Sequence, residues 1–137
     1  MDTDTENTEN NNEEVKEGEV LEVEEKKYIS IDDFHKVEIT IGQIKEVEVV
    51  ENADKLLKLK VDTGEGELRQ VVSGIREFFE DPQELVGKRV PFATNLKPRT
   101  IKGLESNGMI VVVSDKDGGG FSLLNADDNI SPGSKIS

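Results

Sequence analysis

Val37-Glu38-Ile39-Thr40-Ile41-Gly42-Gln43-Ile44, continued by Lys45-Glu46-Val47-Glu48-Val49-Val50, decides the fold class. Val37, Ile39 and Ile41 alternate with Glu38 and Thr40, the period of two of a half-buried strand. Ile44, Val47, Val49 and Val50 resume the apolar pattern beyond the glycine, which predicts one long strand bent at Gly42. Ahead of it, Ile31-Asp32-Asp33-Phe34 is expected to form a short helical turn capped by an Asp.

Outward from this strand the β pattern repeats. Leu57, Leu59 and Val61 alternate with Lys58 and Lys60, placing both lysines on one face of a second strand, and Asp62-Thr63-Gly64-Glu65-Gly66 turns the chain into a third, Leu68 to Val72. Asp81-Pro82 reads as a helix start, with Asp at the N-cap and Pro at the first helical position, and Gly87 ends that short helix. Val90 and Phe92 begin a fourth strand in which Pro91 implies an edge or a bulge. Gly108 to Ser114 predicts a fifth strand, Asp115 to Gly120 a hairpin loop, and Phe121 to Leu124 the return strand. The expected fold is all-β: a five-stranded Greek-key barrel of the oligonucleotide-binding (OB) kind, with a short helix between strands three and four and C-terminal extension strands. Strand count alone leaves an SH3-like or other small barrel open.

Charge divides the chain unevenly. The 137 residues carry 17 Lys and Arg against 30 Asp and Glu, a formal charge of −13. Residues 1–27 hold eleven acids and three bases, a net of −8, with too little apolar surface to offset the entropy of ordering. They are expected to form an acidic disordered tail ahead of one domain, residues 28–137. From Leu85 to Leu104 there are five bases (Lys88, Arg89, Lys97, Arg99, Lys102) and no acid. Salt confines exposed charges to about 8 Å, so this local cationic stretch, and not the net charge, governs contact with a phosphate.

Composition excludes several classes. The chain is too short for a doubly wound nucleotide-binding core with a substrate pocket. The absence of cysteine excludes disulfide frameworks, thiolate metal sites and Cys nucleophiles, and is compatible with a reducing, cytoplasmic setting. No apolar run approaches the roughly 20 residues of a membrane span, and the polar N-terminus has no signal-peptide pattern. The single histidine, His35, lacks any nucleophile-elbow sequence to serve. Asp115-x-Asp117-Gly118 starts like a calcium loop, but the later ligands and closing Glu are missing, so a glycine-rich hairpin is the better reading. No catalytic centre, cofactor or metal is expected.

The informative segment runs from Asn95 to Met109, in the connection between strands four and five that OB barrels commonly use for ligands. Its Lys and Arg can pair with phosphates, its Asn and Ser can reach sugars or base edges, and Met109 offers an apolar contact to an unstacked base. On composition alone a solvated loop fits equally well.

Six motifs in order make the pattern specific: Asp33-Phe34-x-Lys36-Val37; Ala53-Asp-Lys-Leu-Leu-Lys-Leu-x-Val-Asp62-x-Gly64; Arg69-Gln-Val-Val-Ser-Gly-Ile75; Glu84-Leu-Val-Gly-Lys88; Asn95-Leu-Lys-Pro98; and Ser106-x-Gly-Met109. From about Ile29 to Ser137 the chain resembles the tRNA-binding domain appended to methionyl-tRNA synthetase, which also occurs as free-standing structure-specific tRNA-binding proteins. The resemblance implies a non-catalytic barrel that recognises the outer corner of tRNA by shape, alone or as a separate subunit partnered with a methionyl-tRNA synthetase. Carried over by motif, Asn95, Lys97, Arg99, Lys102, Ser106, Asn107 and Met109 would form the contact surface, with Ser73, Lys58 and Lys60 nearby. Asn95 and Ser106 could instead satisfy turn backbone, and Met109 could belong to the core. The family also implies a homodimer formed through segments outside the barrel, here residues 121–137. Thr40 departs from the Arg often found at its position, which counts against a cationic contribution from that strand. A protein-interaction or chaperone module of the same fold is the alternative, though that branch lacks the Lys-Leu-Leu-Lys and Asn-Leu-Lys-Pro patterns.

Overall fold

The computed structural model describes residues 27–137 except Lys116 and Gly118. The expected acidic tail therefore lies, apart from Lys27, outside the described residues, as does part of the 115–120 loop. After a short helix, Ile31–Phe34, come β1 (Ile39–Val49), β2 (Leu57–Asp62), β3 (Leu68–Ser73), β4 (Arg89–Ala93), β5 (Arg99–Ile101), β6 (Leu104–Ser106), β7 (Met109–Ile110), β8 (Val112–Ser114) and β9 (Phe121–Leu123). One antiparallel sheet runs β3-β2-β1-β4-β7, and β5-β6 and β8-β9 form separate two-stranded ribbons. This is the expected all-β, OB-like architecture.

The long first strand exists, but its inward face differs from the expected one. Thr40 and Gly42 pair with Phe92 and Val90, both fully buried, so the even positions face the core. Val37 is exposed, and Ile41 is buried outside the main apolar cluster. Gly42 is where β1 crosses closest to that core: a Cβ there would lie 2.5 Å from Val61 Cγ1 and 2.9 Å from a Phe92 ring carbon. The ladder irregularity falls further on, between Ile44 and Glu46, and returns Val47 to the interior. Leu57, Leu59 and Val61 of β2 and Val71 of β3 complete the central layer, with Ile75 and Leu85 covering it from the β3–β4 connection.

That connection is two 3₁₀ turns, Arg76–Phe78 and Pro82–Leu85, in place of one short helix. Asp81 caps the second as expected, accepting from the Gln83 amide at 3.1 Å. In the helix Ile31–Phe34, the two aspartates occupy the first turn and not the cap. Pro91 sits in an interior strand. Its β1 neighbour Ile41 spends its own N–H and C=O on Ser134 and Gly133, so Pro91 faces a position that asks β4 for no donor. The expected fifth strand is divided into β7 and β8 at Val111, whose N–H donates to Pro91 O at 3.0 Å.

The sheet curls until β3 meets the residues between β6 and β7. Asn107 N–H donates to Gln70 O at 2.8 Å, Val72 N–H to Ser106 Oγ at 2.9 Å, and Gln70 Nε2 to Glu105 O at 2.9 Å. With Arg69 Nη1 also donating to Asn107 O at 3.1 Å, closure thus rests on one backbone bond and three side chains in place of a regular ladder. Residues 133–136 run along the free flank of β1, bonded through Ile39 and Ile41. Among the described residues no helix is long and apolar enough to cross a membrane.

Candidate nucleic-acid interface

The segment Asn95–Met109 is built around a hairpin and is not an open loop. β5 and β6 pair Arg99 with Ser106, Thr100 with Glu105 and Ile101 with Leu104, leaving Lys102 and Gly103 as a two-residue turn. Both turn residues have positive φ, 53° and 81°, as a tight hairpin of this hand requires. Lys102 accepts that conformation without being glycine, and so carries its ammonium at the tip. Lys97, Arg99 and Lys102 are exposed, and none of them has an ion pair among the described residues. The sequence from Leu85 to Leu104 around them contains no acid.

The remaining expected contact residues divide into exposed and structural. Met109 lies on the rim, 46% exposed, opposite buried Ala93; it is not a core residue. Asn107 is exposed, and its side-chain oxygen accepts from Arg69 Nη1 at 3.3 Å. Asn95 spends its amide on the chain ahead of β1, donating to Lys36 O at 2.6 Å and accepting from Glu38 N–H at 2.8 Å. Ser106 is 1% exposed, and its hydroxyl bonds Val72 and Gly108 backbone, so it holds the hairpin base to β3 and offers no hydroxyl to the surface. Ser73 is half-buried opposite Leu57.

Lys58 and Lys60 do share the outer face of β2, but the two are not equally available. Lys58 pairs with cross-strand Glu48 at 2.7 Å, and this hydrogen bond with the lysine charge holds the Glu48 carboxyl below the usual carboxylate range. Lys60 is half-buried and has no ion pair among the described residues. Lys58 and Lys102 line one open cleft of about 490 Å³ with Glu48 and Leu104, so the hairpin tip leans toward the β1–β2 turn.

Arg69 had no role assigned from sequence, and it organises one end of the barrel. It occupies the inward register of β3 after Val71, and donates to Thr94 O and Asn107 O, both at 3.1 Å, while pairing with Glu65 at 2.8 Å. The signal was a lone Arg at the inward register of β3; it packs beside Gly108, where a Cβ would crowd Ala93 O at 3.1 Å and touch the Arg69 side chain at 3.7 Å. His35 is exposed, and among the described residues no three His, Asp or Glu side chains converge as a metal ligand set. Asp115 instead receives the Asp117 amide in a turn.

A family model described as "Putative tRNA binding domain" matches residues 39–135, from the start of β1 to the segment that flanks it. The chain belongs to the tRNA-binding domain family. Relatives of this tRNA-binding domain include a methionine–tRNA ligase of Listeria monocytogenes, 44% identical over 90% of the chain, and one of Helicobacter pylori strain J99, 53% identical over 66%. The chain spans only 18% and 14% of those proteins. Among solved structures, a MetRS-related protein from Pyrococcus horikoshii superposes with a TM-score of 0.76 at 33% identity, over 82% of this chain and all of that one. The chaperone CsaA of Bacillus anthracis, at 22% identity and a TM-score of 0.70 over 81% of this chain and all of that one, shares the fold. The tRNA-binding domain match encloses the hairpin, Arg69 and the residues that anchor them.

Proposed function

We propose that this chain binds folded tRNA without catalysing a reaction, using the β5–β6 hairpin and its base as the contact surface. The observation that carries this reading is the cation triplet Lys97, Arg99 and Lys102, exposed and without ion pairs among the described residues, with Arg99 and Lys102 on the two-stranded β5–β6 arm and Lys97 just ahead of it. Phosphate contacts position a protein on its target, and a paired hairpin presents them in one arrangement, which favours one RNA shape over another. Met109 and Asn107 at the arm's base add an apolar and an amide contact. Asn95 and Ser106 act beneath this surface, as anchors. In the cell the module raises the effective tRNA concentration for a methionyl-tRNA synthetase, in the cytoplasm, as a free-standing protein or a subunit in trans. A homodimer through residues 121–137 is supported by the exposed apolar Leu124 and Ile136, with exposed Val113 on the neighbouring strand.

Titration of folded tRNA, unstructured RNA of equal length and duplex DNA at several salt concentrations tests the reading. Tightest binding of folded tRNA is expected. Equal affinity for all three, or recovery of protein clients without tRNA in a pulldown, would overturn it.

A further inference from the structure

Beside the hairpin base, the domain carries a second polar feature that the hairpin does not explain. The inward rows of the sheet end, at one mouth of the barrel, in polar side chains: Thr63 after Val61, Arg69 after Val71, Thr94 after Phe92, and Thr40 on β1. Residues 132–135 cross this mouth, seated by two glycines. A Cβ on Gly64 would lie 2.9 Å from Pro132 O, and one on Gly133 would lie 3.2 Å from Thr63 O. Between them is an open cleft of about 390 Å³ lined by Thr40, Thr63, Glu65, Thr94, Ser134 and Lys135.

Donor and acceptor capacity is left over in this cleft. Lys135 Nζ has three N–H donors. It uses them only weakly, at 3.2 Å to Thr40 Oγ1 and 3.4 Å to Glu38 Oε2, and the side chain is 56% exposed. Glu65 takes one bond on each oxygen, from Thr63 Oγ1 and from Arg69 Nη2, each at 2.8 Å. A carboxylate has about four acceptor sites, so two remain. Those bonds also keep its carboxyl below the ordinary range, Thr63 contributing most, which leaves it an acceptor at neutral pH. A ligand must therefore bring an anionic group for Lys135 and a hydroxyl donor for Glu65, and it finds no aromatic wall on which to stack a base. The cleft is also continuous with the hairpin base, because Arg69 joins Glu65 to Asn107 and Lys135 lines a neighbouring groove with Asn95.

We propose that this cleft receives a ribose–phosphate unit of the bound RNA strand, Lys135 meeting the phosphate and Glu65 with Thr63 accepting the ribose 2′-hydroxyl. The inference rests on the RNA-binding reading above and adds a second contact region that tells RNA from DNA. The experiment uses the full chain with folded tRNA, with a single-stranded RNA and its 2′-deoxy counterpart, and with adenosine monophosphate. Lys135→Ala should weaken tRNA binding by about three- to tenfold and lower the salt slope by about 0.7 to 0.9, the contribution of one phosphate, and Lys135→Arg should restore both. Glu65→Gln and Thr63→Val should narrow the preference for RNA over its deoxy counterpart while leaving the salt slope in place. The free nucleotide at millimolar concentration should leave tRNA bound. An unchanged slope in Lys135→Ala, or an unchanged RNA preference in both Glu65→Gln and Thr63→Val, overturns the cleft as a contact. Tight capture of the free nucleotide that displaces tRNA overturns the strand as its source. Failure of the unmodified chain to bind any RNA overturns the underlying reading as well, and so is distinguishable from the other results.

Discussion

Two regions of this domain carry lysines that look alike in sequence and differ in the fold: the outer face of β2 and the β5–β6 hairpin. On β2, Lys58 lies directly opposite Glu48 and is held at 2.7 Å, so its charge is largely spent within the protein. On and just ahead of the hairpin, Lys97, Arg99 and Lys102 stand in a stretch from Leu85 to Leu104 that contains no acid, exposed and without ion pairs among the described residues. What separates them is the cross-strand partner. In a protein with 30 acids, a cation held tightly by a cross-strand carboxylate, as Lys58 is by Glu48, has less charge to offer a ligand than an exposed one with no carboxylate directly opposite it.

The largest effect should come from breaking the hairpin side of this contrast. The triple variant Lys97→Ala, Arg99→Ala, Lys102→Ala should lose on the order of thirtyfold or more in tRNA affinity and about two in salt slope, with unchanged far-UV circular dichroism. An unchanged affinity would move the contact surface elsewhere. Next in size is Ser106→Ala, which leaves the buried Val72 N–H without its acceptor and should destabilise the domain by about 1–3 kcal/mol in urea denaturation. Amide exchange at Asn107 should accelerate in the same variant. A smaller effect sharpens the β2 side: Glu48→Gln should free Lys58 and strengthen tRNA binding by about two- to threefold at low salt, whereas Lys58→Ala alone should change it by less than about twofold.

The smallest effect is on pH. Glu38 is held below the ordinary carboxylate value first by the Thr94 hydroxyl and then by Lys135, and Glu65 first by the Thr63 hydroxyl and then by Arg69. Both therefore contribute stability that is present above the unfolded carboxylate value and lost as pH falls through the lower folded one. Acidification below about pH 4.5 should loosen residues 133–136 first, seen as faster exchange of the Ile41 and Gly133 amides, while the amides within β5–β6, which have no ion pair among the described residues, keep their protection.

The sequence pattern carried β2 well because it alternates strictly and buries one face, whereas β3 buries the adjacent Val71 and Val72 and leaves Leu68 exposed. It misread the inward face of β1, because a buried Thr40 and a buried Gly42 are not apolar letters, while exposed Val37 and Ile41 outside the main cluster are. The hairpin within residues 95–109 was hidden for a related reason. Its turn is Lys102-Gly103, with a lysine in the left-handed region where a glycine or asparagine would have announced it. At the candidate site, the exposed cations were legible from the absence of neighbouring acids. The tasks of Asn95 and Ser106 were not, since their partners Lys36, Glu38 and Val72 lie 34 to 59 residues away along the chain. Lys135 and Arg69 acquire their meaning only when the barrel end brings Thr94, Glu65 and Thr40 around them.

The most direct test of the hairpin as the contact surface is amide chemical-shift mapping of the full chain titrated with folded tRNA. The largest shifts are expected at Lys97 to Lys102, Asn107 and Met109, with little change at Lys58. Shifts confined to β8–β9, or a response at Lys58 equal to that of the hairpin, would contradict the account.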